Sequence, residues 1–211
     1  MLTMSVRKTG FPLAMLLLLS ACGGGGGGSD GSDGSDGSGA SVVEAPPVVN
    51  ESSDFSLTSQ DFTEGEAIPL LNACTAQGGM DISPQFTWSN PPAGTSSYAL
   101  IMEDQTPPCG TGAEACVHWA VFNIPASTTV LVGNEDVSAI EGVVEGFNYI
   151  PTTDYAGPCP PDTHTYNIAV YALDATMSVI GSNTMSTSSE FEANYSGSIL
   201  GQAELTGTFS P

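Results

Sequence analysis

Residues 54–211 predict a mainly β fold, an antiparallel β domain with one or two short helices. Apolar residues recur there with the two-residue period of strands, or in short continuous runs bounded by turn residues. Only one stretch has the length and composition of a helix. The span is also long enough for a single domain with its own hydrophobic core.

The predicted strands follow one another along this domain. Two early segments and the last one alternate between apolar and polar residues: Phe55–Thr58, Gln85–Trp88 and Leu200–Phe209. The segments between them are nearly continuous apolar runs: Tyr98–Met102, His118–Ile124 and Tyr166–Leu173. Continuous runs are typical of strands that are buried on both faces of a sheet.

The helical signal is confined to two places. A helix is predicted near Ser188–Ile199, and a helical turn is predicted near Asp136–Gly142. No internal repeat is visible, so the domain is expected to be one unit rather than an array.

The first residues predict export. Arg7 and Lys8 precede an apolar run, Phe11–Leu19, which is shorter than the roughly 20 residues that span a bilayer. The following Leu19-Ser20-Ala21-Cys22 has the pattern of a bacterial lipobox, in which small residues fit the peptidase and the cysteine thiol accepts the lipid. We therefore expect a signal peptide over residues 1–21 and a lipid anchor on Cys22. The alternative is an ordinary signal peptide with a chance cysteine at the cleavage site.

A tether is predicted between the anchor and the domain, over residues 22–53. A glycine run and Ser-Asp-Gly repeats predict a flexible chain of roughly 30 Å end to end. The aspartates of the repeats could attract calcium, but they lack the spacing of an EF-hand loop. Gly23 follows Cys22 in place of aspartate, which resembles lipoproteins sorted to the outer membrane.

The charge balance excludes several functions. The chain has 23 acidic residues, and Arg7 and Lys8 are its only basic residues apart from two histidines. Removal of residues 1–21, which contain both basic residues and no acidic one, would change the formal charge from −21 to −23. Binding to nucleic acid is excluded because it needs Lys and Arg on the phosphates. Attraction to anionic headgroups is excluded as well, so membrane attachment must come from the lipid on Cys22.

The cysteines predict two disulfides. Apart from Cys22 there are four, an even number that allows three pairings in an exported chain. The seven-residue spacing of Cys109 and Cys116 favours a local bridge, and Cys74–Cys159 then follows by elimination. Four thiolates on zinc are the alternative, but no C-x-x-C pair is present. We expect no metal and no cofactor.

Several short motifs occur in order along the domain. They are S-P-Q-F-T-W at 83–88, P-A-G-T at 92–95, E-D at 103–104, V-H-W-A-V-F-N-I-P at 117–125, G-P-C-P-P at 157–161, H-T-Y at 164–166 and L-G-Q-A-E-L-T-G at 200–207. Together they resemble the phosphatidylethanolamine-binding protein family, also called the Raf kinase inhibitor protein family, and in particular its bacterial branch. The resemblance covers residues 54–209, nearly the whole domain.

The resemblance implies a β-sandwich-like core with a small pocket for phosphate-type anions, such as a phosphoethanolamine headgroup. Carried over by motif, the pocket residues are Asp104, His118, Gly157, Cys159, Pro160, His164 and Tyr166. Gly157, Cys159 and Pro160 would form the backbone wall. The chain departs from the family pattern at Thr106, in place of the second Asp of D-P-D-A-P, and at Thr165, in place of the Arg of H-R-Y.

The residue types suit such a pocket. His118 and His164 are the only histidines in the chain, and imidazole N–H groups can donate to an anion. Asp104 would orient a histidine or accept from a ligand ammonium. Each residue taken singly also has a structural interpretation. His118 could be a core histidine and His164 a loop histidine. Asp104 could form a turn, and Tyr166 could be a core aromatic residue.

Three functions are considered. The first is a tethered binding module for a small anionic or zwitterionic ligand, or for a partner protein that presents one. The second is a hydrolytic enzyme that uses His118 and His164, which is disfavoured because no G-x-S-x-G or H-E-x-x-H motif is present. The third is a protease inhibitor or scaffold. We expect the binding module and no enzymatic activity.

Overall fold

Two antiparallel sheets make up the described part of the protein. The computed structural model describes residues 54–211, so the predicted signal peptide, Cys22 anchor and tether lie outside the described residues. The strands are β1 (Ser56–Thr58), β2 (Phe86–Ser89), β3 (Ser97–Asp104), β4 (Cys116–Pro125), β5 (Val130–Leu131), β6 (Val144–Glu145), β7 (His164–Leu173) and β8 (Ile199–Phe209).

The strand order is β1-β2-β5 in the smaller sheet and β6-β4-β3-β7-β8 in the larger one. The predicted mainly β fold is confirmed, and each predicted strand coincides with an observed one. The strands β5 and β6 were not predicted, because each has only two residues and so cannot show a period.

The helical predictions are also confirmed. The helix α1 spans Ser188–Tyr195, and a 3₁₀ turn at Val137–Ala139 lies within the predicted helical turn. Thr187 caps α1 in a capping box with Glu190, which satisfies backbone N–H groups that the first turn leaves free. Further 3₁₀ turns lie at Leu70–Asn72, Thr75–Gln77 and Gly112–Glu114.

The larger sheet separates two hydrophobic clusters. Alternate residues of a strand point to opposite faces, and even-numbered residues of β3 and β7, such as Leu100 and Ile168, join the core between the two sheets. Odd-numbered residues, such as Ile101 and Tyr171, pack on the other face, where Phe191 of α1 covers them. This explains the continuous apolar runs, since the central strands are buried on both faces.

Both predicted disulfides are present. Cys109 is bonded to Cys116 across the loop between β3 and β4. Cys74 is bonded to Cys159, which joins segments 85 residues apart in the sequence.

Candidate functional site

The candidate site lies where the inter-sheet face of the larger sheet reaches the end of β3 and the start of β7. Asp104 shares the even-numbered face of β3, and His164 and Tyr166 share the corresponding face of β7. Asp104 pairs directly with Tyr166, and this is the last residue pair of the β3–β7 ladder. Antiparallel pairing therefore brings together residues that are about 60 positions apart, as the 60-residue separation of Asp104 and His164 shows.

A β-bulge places His118 in the same site. On β4, Trp119 pairs with Met102 and Val117 pairs with Glu103, so His118 is an extra residue with no partner of its own on β3. Regular alternation would put His118 on the face of Ala120 and Phe122, which pack in the cluster covered by α1. A bulge re-aims a side chain, and here it turns His118 to the face of Asp104, where it lines the pocket.

These residues surround a pocket of about 240 Å³. The volume is below the roughly 300 Å³ at which drug-sized ligand pockets begin, so a small ligand or one headgroup fits. The lining combines the two histidines, tyrosine rings, prolines and disulfide-bonded cysteines, namely Asp104, Pro108, Cys109, Cys116, His118, Tyr149, Cys159, Pro160, Pro161, His164 and Tyr166.

His164 is held by a buried carboxylate. Its Nδ1 lies 2.6 Å from Oδ2 of Asp104, and both residues are almost fully buried. The other carboxylate oxygen of Asp104 accepts from the backbone N–H of Thr106. The pair fixes the proton on Nδ1 and orients the ring, as a carboxylate next to a functional histidine does.

The second nitrogen of His164 has no hydrogen-bond partner. Nε2 is buried, and although Oδ1 of Asp162 lies 3.2 Å away, the arrangement does not have the geometry of a hydrogen bond. The Asp162 side chain is 79% exposed, so it is free to turn into solvent. Buried polar atoms nearly always have a partner, so an unsatisfied ring nitrogen in a pocket indicates a place for a ligand atom.

The His118 ring is held by the backbone of Ala156 and not by a carboxylate. Its Nδ1 donates to the carbonyl oxygen of Ala156 at 2.6 Å, and the backbone N–H of Ala156 donates to the carbonyl oxygen of His118. Burial lowers the pKa of His118, because desolvation disfavours the imidazolium. The ring is therefore neutral near pH 7, with its proton on Nδ1 and a lone pair on Nε2.

Two tyrosines enclose the His118 ring. The Tyr166 ring meets it edge to face at a centroid distance of 5.0 Å, and the Tyr149 ring lies at 4.8 Å. Burial raises the pKa of Tyr166, so its hydroxyl stays protonated and can donate to a ligand. Tyr149 is 38% exposed and stands at the opening.

Two of the three residues of the predicted backbone wall lie at the pocket. Cys159 and Pro160 line the pocket, but Gly157 does not. A Cβ at Gly157 would lie 2.5 Å from the carbonyl oxygen of Asn72, and its N–H donates to Asp81. Glycine is therefore needed for close contact with the Asn72–Cys74 backbone and not for approach to a ligand.

The structure adds residues that the sequence analysis missed. Cys109 and Cys116 line the pocket, and their position could have been inferred, because the predicted bridge closes the loop that starts directly after Asp104. Tyr149 and Pro161 also line it. Pro161 ends the G-P-C-P-P motif, whereas Tyr149 comes from a loop with no recognisable pattern.

The site contains no fixed positive charge. The only Lys and Arg residues of the chain are Lys8 and Arg7, which lie outside the domain. Within residues 54–211 no group of three or more His, Cys, Asp or Glu side chains is placed to hold a metal ion. The polar groups available to a ligand are thus the imidazoles, a tyrosine hydroxyl and carboxylates.

In the described part of the chain, no helix is both long enough and apolar enough to cross a bilayer.

Comparison with known proteins agrees with this architecture. The family model described as phosphatidylethanolamine-binding protein matches residues 58–210. A UPF0098 protein of Aquifex aeolicus is 35% identical over 155 residues, which cover 72% of this chain and 85% of the relative. The UPF0098 protein YbhB of Escherichia coli is 32% identical over 161 residues, 73% of this chain and 99% of the relative.

Solved structures show the same fold. Escherichia coli YbcL, described as a member of the mammalian PEBP family, superposes with a TM-score of 0.64 at 29% identity and covers 74% of this chain and 98% of its own. A phosphatidylethanolamine-binding protein homologue from Chlamydia trachomatis gives a TM-score of 0.62 at 31% identity, with 74% and 97% covered. From its sequence, its fold and its relatives, this chain belongs to the phosphatidylethanolamine-binding protein family.

Proposed function

We propose that this protein is a membrane-anchored lipoprotein whose pocket binds one small headgroup of the phosphate-type or zwitterionic class. The observation that carries the proposal is the convergence of His118 and His164 on one pocket. They are the only two histidines of the chain, and His164 has a buried, unsatisfied Nε2. Because Asp104 keeps the ring proton on Nδ1, a hydrogen-bond donor of the ligand would satisfy that nitrogen, which costs about 1–3 kcal/mol when left unpaired.

The charge of the site favours a zwitterion over a free anion. Asp104 and Asp162 place carboxylates near both ring nitrogens of His164, and His118 is held neutral. An anion brought into this pocket would meet carboxylates without a permanent cation to offset them. A ligand with its own ammonium group offsets that repulsion, and Asp162 at the solvent side is suited to accept from it.

The ligand is tested by calorimetric titration of the purified protein with phosphoethanolamine and, in parallel, with inorganic phosphate. We expect phosphoethanolamine to bind with one site per chain and phosphate to bind more weakly. Asp104→Asn should weaken binding by about tenfold or more, because the amide can donate to Nδ1 and so release the tautomer that Asp104 fixes. Asp174→Asn, just beyond the opposite end of β7 from His164, is the matched control.

No binding of either compound would refute the proposal. Release of product from p-nitrophenyl phosphorylcholine or p-nitrophenyl phosphate, lost on His164→Gln, would show an enzyme and replace the binding function. If this protein selectively bound another protein, and substitution of His118 or His164 did not weaken that binding, the inhibitor or scaffold function would be favoured instead.

The membrane anchor rests on the lipobox at Leu19–Cys22 and on Gly23, which favours the outer membrane. Metabolic labelling with a radioactive fatty acid, followed by fractionation, tests it. We expect label on the wild-type chain in the membrane fraction and no label on Cys22→Ser. Equal labelling of both would contradict a lipid anchor at this residue.

A further inference from the structure

Both disulfides of the domain meet at the pocket. Three of their four cysteines line it, namely Cys109, Cys116 and Cys159. Cys109 and Cys116 are each half-buried and Cys159 is exposed, so neither bridge is sealed within the core. Buried structural bridges are inert, whereas accessible ones are open to attack by a thiolate.

The Cys109–Cys116 bridge fastens the loop that carries one side of the pocket. This loop, residues 105–115, leaves β3 directly after Asp104 and enters β4 at Cys116, which pairs with Asp104. The bridge draws Cys109 back to Cys116, and with it Pro108, which lines the pocket.

Few hydrogen bonds fix the loop to the site, although its Gly112–Glu114 turn also packs against α1. Its first turn is held by the Thr106 N–H on Asp104 and by the Thr106 hydroxyl, which accepts from the N–H of Thr165. Its remaining backbone bonds are internal, such as the bond from the Gly110 N–H to the Glu114 carbonyl oxygen. With the disulfide open, the segment from Pro107 onward would keep its own turns but lose its covalent attachment to the base of the loop.

The other bridge has a different role. Cys74–Cys159 closes a separation of 85 residues and ties the G-P-C-P-P wall to the segment after Leu70–Asn72. A bridge over so long a loop stabilises the whole fold, because it removes much of the freedom of the unfolded chain. A bridge over seven residues constrains mainly its own loop.

We propose that Cys109–Cys116 is a thiol–disulfide exchange site that controls the pocket, so that the oxidised bridge holds the pocket in its binding conformation and reduction releases it. This inference rests on the proposed function, since it requires that the pocket bind a ligand. The reductant is a dithiol, either a small molecule or a dithiol oxidoreductase. One thiolate attacks a sulfur of the bridge, and the mixed disulfide is resolved by the second thiol. The products are two cysteine thiols and the oxidised reductant.

Ligand binding and the reduction of the bridge are thermodynamically linked. If reduction lowers the affinity for the ligand by some factor, the bound ligand lowers the equilibrium constant for reduction by the same factor. Pocket occupancy therefore shields the bridge, and loss of the ligand exposes it.

The test uses protein that has been exported to an oxidising compartment and carries Cys22→Ser, which removes the one cysteine outside the two bridges. Phosphoethanolamine is titrated into the oxidised protein and into Cys109→Ser/Cys116→Ser. Circular dichroism and a cooperative thermal unfolding transition show that the double variant is folded. Mass spectrometry shows that its Cys74–Cys159 disulfide is intact. We expect the double variant to fold and to bind about tenfold more weakly. A loss of this size corresponds to a freed loop that adopts the binding conformation about a tenth of the time. Ala113→Ser, exposed in the same loop, is the matched control.

The second measurement needs no variant. The oxidised protein is exposed to dithiothreitol, with and without saturating phosphoethanolamine, and alkylation of Cys109 is followed by mass spectrometry. We expect the ligand to lower the extent of reduction at equilibrium by about tenfold and to leave that of Cys74–Cys159 less affected. Full binding by the folded double variant, or identical reduction with and without ligand, would overturn the exchange site and leave the proposed function standing. Absence of binding by the oxidised protein would overturn both.

Discussion

At the residue scale, the site depends on how each imidazole is held. His164 donates to a carboxylate and His118 donates to a backbone carbonyl, so both rings have their Nδ1 occupied within the protein. Each ring therefore has its Nε2 as the remaining polar atom. Since each Nδ1 carries the ring proton, both Nε2 atoms have lone pairs and can accept from a donor on the ligand, such as an ammonium group.

The burial of His118 predicts a pH-dependent stability. Its pKa is lowered below 6.5 in the folded protein by desolvation, which outweighs the favourable charges of Asp104 and Asp81. Between the folded and the unfolded pKa, the unfolded chain therefore binds more protons. The stabilisation is complete above about pH 6.5 and is lost as the pH falls toward the folded pKa, with a slope of at most about 1.4 kcal/mol per pH unit.

Urea unfolding of the wild type and of His118→Gln at pH 5.0 to 8.0 measures this effect. The two curves of unfolding free energy against pH should run parallel above about pH 7 and converge below about pH 6.5, because only the wild type loses stability through this residue. Curves that stay parallel over the whole range would mean that His118 titrates as an ordinary exposed histidine.

At the scale of elements, a single extra residue in β4 creates the site. Residues on the two sides of the bulge keep their regular faces, since Trp119 packs between the sheets and Val117 packs toward α1. This feature could not be predicted from the sequence, because the apolar run of β4 continues through His118 without a break. The bulge depends on how β4 pairs with β3, which the sequence of β4 alone does not determine.

Other elements could be predicted, and for clear reasons. The central strands β3, β4 and β7 are long and buried on both faces, so their apolar runs are unmistakable. The spacing of Cys109 and Cys116 predicted one bridge, and elimination predicted the other. Tyr149 and the actual contact of Gly157 could not be inferred, because each depends on where a loop packs and not on the loop's own sequence.

The helix α1 allows a test of whether the two faces of the larger sheet are energetically independent. Thr187 accepts from the N–H of Glu190, and the Glu190 side chain accepts from the N–H of Thr187. Thr187→Ala removes the cap and should lower the free energy of unfolding by about 1 kcal/mol. Since α1 packs mainly on the face opposite the pocket and meets the 105–115 loop only at its Gly112–Glu114 turn, the affinity for phosphoethanolamine should not change.

Thr187→Ser keeps the capping hydroxyl and is the control, expected near wild-type stability in chemical denaturation. A loss of ligand affinity in Thr187→Ala, measured where both variants are fully folded, would show that the two faces are coupled and would contradict their separation.

At the scale of the whole molecule, charge dominates. The chain has 23 acidic residues, and none of its two Lys and Arg residues lies within the domain. Negative charges repel one another throughout the folded state, and histidine is the only side chain of the domain that can pair with them. The domain is therefore held together by its two apolar clusters and its two disulfides, against a net electrostatic repulsion.

Salt should stabilise this protein. Raising NaCl from about 10 mM to about 0.5 M shortens the Debye length from roughly 30 Å to below 8 Å and screens most of the repulsion. The melting temperature should rise by several degrees over this range. KCl at the same ionic strength should give the same rise, because screening does not depend on the cation. A flat or falling melting temperature would contradict the view that repulsion opposes folding.

Whether His118 and His164 bind one ligand together can be measured by ¹⁵N NMR of the histidine rings during titration with phosphoethanolamine. We expect the Nε2 resonances of both rings to shift with a single dissociation constant, while both Nδ1 resonances, held by Asp104 and Ala156, move little. A response from only one ring, or from two rings with different affinities, would contradict a shared site.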